Sequence, residues 1–144
     1  MATALSLARR AAAKGEVPVG CVIVDGETGV ILARAHNRTE SSADPTAHAE
    51  LLALRAAARK AGAARLPECD LYVTLEPCPM CAQAISFARI RRLYYGAADP
   101  KGGGVEGSPR IFAQPSCHHR PEVISGLREA ECGALLKAFF RGKR

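Results

Sequence analysis

The sequence lacks any apolar run long enough to cross a bilayer, which excludes an ordinary transmembrane helix. Its first residues also lack the charged start and the long apolar stretch of a signal peptide. We therefore expect a cytoplasmic protein whose six cysteines are free thiols. Internal repeats and linker-like segments are absent as well, so residues 1–144 are expected to form one domain that is long enough to bury a core.

Acidic residues are outnumbered by basic ones, 14 against 20, which leaves a formal net charge of +6. This excess permits binding to a polyanion such as nucleic acid. A compositional bias toward arginine explains the excess equally well. The charge therefore becomes informative only when it is located on a surface.

The spacing of apolar and turn-forming residues predicts an alternation of helices and strands. Helices are predicted over 4–14, 46–61, 78–88 and 127–141, and strands over 17–24, 30–35, 71–75, 92–96 and 122–125. A starting hairpin followed by alternating helices and strands predicts an α/β layered fold with a mixed sheet. Residues 97–114 are irregular and rich in glycine, and a loop of this length in a small protein is more often functional than idle.

The most informative motif has no fourth Cys or His close to either of its halves. Its pattern is His-x-Glu followed by Pro-Cys-x-x-Cys, with His48 and Glu50 in the first half and Cys78 and Cys81 in the second. His48, Cys78 and Cys81 supply three zinc ligands. A structural zinc ion usually has four protein ligands, whereas a catalytic one keeps a position for water. The motif therefore predicts a hydrolytic site with one zinc ion per chain.

The positions of these residues predict a common site at two helix starts. His48 and Glu50 fall in the first turn of the second predicted helix, and Cys78 and Cys81 in the first turn of the third. Residues three apart share a helix face, so both sulfur atoms can reach one metal. Glu50 is too close to His48 in sequence to be a second ligand, but it can move a proton to and from the water. Taken alone, the cysteine pair would also suit a redox centre or half of a structural zinc site, and His48 a buried core position.

Segments outside the zinc motif carry a resemblance to a known family. These segments are residues 16–20, 37–38, 44–50, 72–78, 96–101 and 139–141. Together they resemble the bacterial tRNA-specific adenosine deaminases, members of the cytidine deaminase-like superfamily, over nearly the whole chain. The zinc motif is shared with cytosine, guanine and pterin-type deaminases. The segments Thr74-Leu75-Glu76 and Phe139-Phe140-Arg141 are more specific.

The resemblance implies a homodimer that converts the wobble adenosine of a tRNA anticodon stem-loop to inosine. It also implies a three-layer α/β/α cytidine deaminase-like fold with a central mixed five-stranded sheet. The residues that it implies as RNA contacts are Asn37, Asp99, Lys101, His119, Phe140 and Arg141. Each can instead have a structural role, because Asn37 can cap a loop, Asp99 can form a turn and the phenylalanine pair can pack in the core.

Two other functions fit the same metal motif. A deaminase of free guanine, cytosine or nucleosides would use the same chemistry without needing a basic groove. A zinc-containing RNA-binding module without turnover would not need Glu50. The final segment, residues 139–144, favours an RNA substrate because aromatic rings stack on bases and cations bind phosphates.

Overall fold

The computed structural model describes residues 1–143 of the protein. Its elements are α1 (Ala2–Ala13), β1 (Gly20–Asp25), β2 (Ile31–His36), α2 (Ala49–Ala61), β3 (Cys69–Leu75), α3 (Pro79–Phe87), β4 (Arg92–Ala97), a short 3-10 helix (Ile111–Ala113), β5 (Glu122–Ile124) and α4 (Glu129–Arg141). Within this described part of the chain, no helix combines the length and the hydropathy that crossing a membrane requires.

The strands form a mixed sheet in the order β2-β1-β3-β4-β5. β1 is antiparallel to β2 and to β3, whereas β3, β4 and β5 run parallel to one another. α3 connects β3 to β4, as a parallel pair requires, since parallel neighbours cannot be joined by a tight turn. The predicted mixed five-stranded sheet is therefore confirmed.

Helices cover both faces of this sheet, because successive side chains of a strand point to opposite faces. Ile23 of β1 and Val73 of β3 belong to the main buried cluster, which α2 and α3 complete. Val22 points to the other face and packs against α1. α4 lies beside α1 on that face, where Cys132 is 1% exposed and packs against the sheet. The three-layer α/β/α arrangement is confirmed.

Two helices that carry site residues begin later than predicted, one by three residues and the other by one. The helix predicted from residue 46 begins at Ala49, and the one predicted from residue 78 begins at Pro79. His48 and Cys78 keep extended backbone angles, with ψ values of 148° and 170°. Each residue therefore occupies the N-cap position of its helix and does not lie in the first turn. Its side chain projects from the point where the backbone turns into the helix.

Two further boundaries also differ from their prediction. The strand predicted from residue 17 begins at Gly20, because the N–H of Val19 bonds to the carbonyl of Val17 across Pro18, which has no N–H to give to a sheet. The helix predicted from residue 127 begins at Glu129, since Arg128 adopts a left-handed φ of 50° that a helix cannot contain. The segment predicted to be irregular, residues 97–114, contains the short 3-10 helix beyond the end of β4.

We predict that Gly20→Ala lowers the free energy of unfolding by about 1–3 kcal/mol. A Cβ at this position would lie 2.0 Å from the carbonyl oxygen of Ala4 and 2.8 Å from the backbone nitrogen of Ala8, so α1 would have to move away from β1. Urea denaturation followed by circular dichroism measures the change.

Gly133→Ala in α4 is the matched control. A Cβ at that glycine meets no atom within 4 Å, so the substitution should raise stability by about 0.5–1 kcal/mol through the helix backbone. Equal midpoints for the wild type and Gly20→Ala would contradict the close contact between α1 and β1.

Candidate active site

Two helices on the same face of the sheet begin beside each other. His48 precedes α2 and Cys78 precedes α3, so the side chains of both capping residues lie at the helix starts. Pro79 follows Cys78 at the first helical position, where its fixed φ suits a helix and its missing N–H is not needed. Cys81 lies in the first turn of α3, as predicted, and is fully buried. Both helix N-termini direct partial positive charge toward this point, which favours thiolate sulfur.

The three predicted ligands form a compact cluster. The Nδ1 atom of His48 lies 3.7 Å from the Sγ atom of Cys78 and 3.5 Å from that of Cys81. All three ligand atoms lie within 4.8 Å of one another. Tetrahedral zinc with ordinary Zn–N and Zn–S bond lengths holds nitrogen and sulfur roughly 3.6 Å apart. The donor set and its spacing therefore fit a zinc ion.

The two thiols have very different proton affinities. The pKa of the Cys78 thiol is lowered to about 4, chiefly by a hydrogen bond from Cys81 and also by His48, against the opposing effect of burial. The same hydrogen bond raises the pKa of Cys81, and burial adds to that rise. One thiolate thus exists before a metal binds, and a cation in the cluster would replace the remaining proton.

Glu50 lies next to this cluster and is only 4% exposed. Burial raises the pKa of its carboxyl group above the usual range, an effect that a hydrogen bond with the Cys81 thiol only partly offsets. A carboxyl group with a raised pKa can hold a proton as well as release one near neutral pH, as a general acid–base group must. The structure therefore brings together the four residues of the sequence motif.

Asn37 is buried and fixes the beginning of α2. Its side-chain oxygen Oδ1 accepts a hydrogen bond of 2.8 Å from the backbone N–H of Ala49, the residue between His48 and Glu50. An N–H at a helix start has no partner within the helix, so this bond satisfies it. The side chain thus caps a helix, whereas the structural role expected from the sequence was to cap a loop. Its amide group remains next to the site.

Glu76 was not predicted as a site residue, although it lies in the Thr74-Leu75-Glu76 segment. Its buried carboxylate accepts four backbone hydrogen bonds of 3.0–3.1 Å, whose donors are the N–H groups of Asp99, Val105, Glu106 and Gly107. Burial by itself would raise the pKa of Glu76, but these four donors lower it below the usual value. The signal available in the sequence was the position of Glu76, an acidic residue directly after an apolar strand and directly before Pro77 and Cys78.

The glycine-rich loop reaches the metal cluster because two of its residues have no side chain. A Cβ on Gly103 would lie 2.4 Å from the carboxyl carbon of Glu76, and one on Gly104 would lie 2.5 Å from the nitrogen of Pro79. The N–H of Gly104 also bonds to the carbonyl of Pro77 at 2.8 Å. The loop therefore packs directly on the start of α3.

Asp99 and Lys101 lie on this anchored loop. One carboxylate oxygen of Asp99 accepts hydrogen bonds from the N–H groups of Lys101 and Gly102, at 3.2 and 3.0 Å. Asp99 thus forms the turn that its sequence context also suggested, while Lys101 is exposed. The turn holds Lys101 at the exposed surface of the loop, where its side chain is accessible to a ligand.

Phe140 and Arg141 are exposed at the end of α4. Phe140 is 49% exposed, and its ring packs edge-to-face on the half-buried ring of Phe139 at a centroid distance of 5.3 Å. Arg141 lines a groove of about 590 Å³ that also includes Ala98 and Pro100, on either side of Asp99. The structure thus brings Arg141 to the anchored loop. Arg144, the last cation of the predicted RNA-binding segment, lies outside the described residues.

His119 lies apart from the other predicted contacts. Its ring nitrogen Nε2 is 2.7 Å from the carbonyl oxygen of Ile90, and its own carbonyl accepts a hydrogen bond from Ser86. Ser86 and Ile90 lie at the C-terminal end of α3 and beyond it, whereas the zinc ligands lie at the N-terminal end. The structure does not bring His119 together with the metal cluster.

Comparisons with known proteins agree with this geometry. Residues 1–97 match the family model for the cytidine and deoxycytidylate deaminase zinc-binding region. A tRNA-specific adenosine deaminase of Agrobacterium fabrum is 58% identical over 145 residues, covering 100% of this chain and 93% of the relative.

Two solved structures are also similar. One, from a study of A-to-I editing by tRNA:A34 deaminases at the wobble position of transfer RNA, has a TM-score of 0.91 and 57% identity, covering 94% of this chain and 97% of its own. A guanine deaminase from Bacillus subtilis has a TM-score of 0.64 and 34% identity, covering 97% and 88%.

The fold and the metal cluster define a zinc-binding deaminase of the cytidine and deoxycytidylate deaminase family. Relatives named tRNA-specific adenosine deaminase match 98–100% of this chain at identities of 42–58%. Within the family, the chain belongs to the bacterial tRNA-specific adenosine deaminases. The resemblance seen in the sequence is therefore confirmed.

We predict that Cys81→Ser removes bound zinc, because a neutral hydroxyl is a poor substitute for a buried thiolate ligand. Purified wild-type protein should carry one zinc ion per chain, measured by elemental analysis. Cys69→Ala is the control, since Cys69 is another buried cysteine but lies at the start of β3, outside the cluster. Full zinc content in Cys81→Ser would exclude the assignment.

We predict that Glu76→Gln loosens the glycine-rich loop and lowers the free energy of unfolding by about 1–3 kcal/mol. The amide of glutamine has one acceptor oxygen, so its NH2 group must face at least one of the four N–H donors that the carboxylate now satisfies. Hydrogen exchange of residues 99–107, measured by mass spectrometry, should accelerate.

Glu122→Gln provides the comparison, because within residues 1–143 that exposed carboxylate pairs only with Arg92 at the surface. It should leave both the exchange of the loop and the stability nearly unchanged. Unaltered exchange in Glu76→Gln would show that the four hydrogen bonds do not hold the loop.

Proposed function

We propose that the protein deaminates adenosine to inosine at the wobble position of a tRNA anticodon. The observation that carries the proposal is the cluster of His48, Cys78 and Cys81 with a buried carboxylate beside it. The full-length similarity to tRNA-specific adenosine deaminases supports the choice of substrate. The product has a carbonyl in place of the amine, and ammonia is released.

In this proposal His48, Cys78 and Cys81 hold the zinc ion, and the spacing of their ligand atoms supports that role. When bound, zinc lowers the pKa of water and polarises it, so that a nucleophile is available at neutral pH. Asn37 keeps the start of α2 in position through its bond to Ala49, and so orients His48. The two helix N-termini favour the thiolate form of the ligands.

Glu50 is the proposed proton carrier. Its carboxylate takes one proton from the attacking water and delivers it to the ring nitrogen of adenine. It then takes the second proton from the hydroxyl group formed at the attacked carbon and delivers it to the departing amine. Burial, which raises the pKa of Glu50, supports this role because it favours the protonated form that an acid catalyst needs. A zinc site with a purely structural role would not need a buried carboxylate beside its ligands.

The proposed RNA contacts, apart from His119, come from segments near the metal cluster. Asn37 contacts the flipped nucleotide, and Lys101 and Arg141 bind phosphates, a role that their exposure supports. Asp99 lies at the turn that presents Lys101, and the exposed ring of Phe140 suits stacking on a base. His119 is a more distant contact in this scheme, since its ring is bonded to Ile90.

We also propose that two copies associate and that the protein acts in the cytoplasm. Phe87, at the end of the helix that carries Cys81, is 67% exposed, and a second copy would remove this ring from water. The six cysteines are free thiols, which suits a reducing compartment.

A deaminase of free bases is the second candidate function, and the similarity to a guanine deaminase from Bacillus subtilis supports it. Both functions require the same metal cluster and Glu50. They differ in the need for a surface that binds phosphates, so the substrate and its salt dependence distinguish them. A binding module without turnover is disfavoured by the buried carboxylate beside the metal ligands.

Incubation with an anticodon stem-loop that contains the wobble adenosine should produce inosine, detected by sequencing. Glu50→Ala should retain zinc and the fold but lose activity by about 10²–10⁴-fold, the usual contribution of a general acid–base group. Wild-type activity in that variant would assign proton transfer elsewhere.

Free guanine, cytosine and adenosine are the competing substrates, and release of ammonia measures their turnover. Rapid turnover of a free base together with an unmodified stem-loop would overturn the proposal in favour of the second candidate.

A further inference from the structure

A groove lined by arginines crosses the outer edge of the sheet. It has a volume of about 380 Å³ and lies between α1 and α2, with the edge strand β2 beneath it. Its cationic lining consists of Arg10 from α1, Arg34 from β2, Arg38 just after β2 and Arg59 from α2, together with His36.

The four arginines of this groove are exposed, and within residues 1–143 none of them forms an ion pair with a carboxylate. Other arginines of the chain do form such pairs, including Arg91 with the buried Asp70 at 2.9 Å. Exposed guanidinium groups that line one groove without a carboxylate partner leave their N–H donors available to an anion. Their donor geometry matches the oxygens of phosphate.

Protection of a sheet edge explains only part of this cluster. Charged side chains on an edge strand prevent pairing with a second sheet, and this accounts for Arg34 on β2. Arg10 and Arg59 come from helices on opposite sides of that strand and present no backbone for pairing. Edge protection thus leaves Arg10 and Arg59 unexplained, whereas an anionic ligand in the groove would account for both.

The groove adjoins the segment that carries Asn37. His36 and Arg38 are the immediate neighbours of Asn37, whose side chain caps α2 beside the zinc ligands. From Ala49 at the start of α2, Arg59 is ten residues along the helix, a distance of about 15 Å. The cationic surface thus extends from the site by more than the length of one nucleotide.

We infer that this groove binds the phosphate backbone of the RNA substrate outside the nucleotides next to the reacting base. The inference rests on the proposed function, because it assigns the arginines to the same RNA strand that enters the site. RNA is favoured over an acidic protein, since Arg38, which lines the groove, is next in the chain to Asn37, the proposed contact of the flipped nucleotide. Contacts of this kind add affinity and salt dependence without reading the sequence.

The test compares Arg34→Gln/Arg59→Gln with Lys60→Gln/Arg65→Gln. Both double variants remove two positive charges, and the control residues are exposed but lie outside the groove. Circular dichroism and zinc content should match the wild type for both. Each is assayed for binding and editing of an anticodon stem-loop, and of a trinucleotide limited to the wobble adenosine and its two neighbours, over a salt titration.

The groove variant should bind the stem-loop roughly 20-fold more weakly at about 0.1 M salt, with an unchanged kcat and a log–log salt slope reduced by about 1.4, since each phosphate contact contributes about 0.7. Its binding to the trinucleotide, which is too short to reach the groove, should equal that of the control. Stem-loop binding equal to that of the control, or equal weakening toward both RNAs, would overturn the inference while wild-type editing upholds the proposed function. A wild type that edits neither RNA would overturn both.

Discussion

The meeting of two helix starts is the constraint on which the site depends. His48 and Cys78 are the last extended residues before α2 and α3, and their ligand atoms come within 3.7 Å of each other only because the two helices pack side by side. A change in either helix start would move a ligand by more than the tolerance of a metal site. Asn37 fixes the first start, and the contact of Gly104 with Pro79 fixes the second. Residues outside the metal cluster therefore define its geometry.

Two buried carboxylates hold the loops that surround this point. Glu16 accepts hydrogen bonds from the N–H groups of Glu40 and Ser41, at 3.1 and 2.7 Å, and so holds the loop between β2 and α2. Glu76 does the same for the loop after β4. In each loop, backbone N–H groups that have no strand partner are satisfied by one central acceptor. The charge remains buried because several aligned N–H donors stabilise it.

The net positive charge acquires meaning from its distribution. Part of it forms ordinary ion pairs, such as Arg92 with Glu122 and Arg128 with Glu131. Among residues 1–143, other cations form no ion pair. They lie on the loop that carries Lys101 and in the arginine-lined groove at β2. β2 and β4 lie on opposite sides of the pair β1 and β3, so these cations flank the site from two directions. An elongated polyanion fits that arrangement better than a free base does.

The sequence by itself determined the chemistry, since the four motif residues and their types specify a zinc-dependent hydrolytic site, and the apolar pattern specified the layered sheet. Local spacing sufficed there because ligand identity and strand alternation are properties of neighbouring residues. Only the tertiary structure decided that His48 and Cys78 cap their helices, that Glu76 anchors a loop some 25 residues further along, and that His119 lies at the far end of α3. It also gathered Arg10 and Arg59 into one groove, because contacts between distant segments depend on how the helices pack on the sheet and leave no periodic signal in the chain.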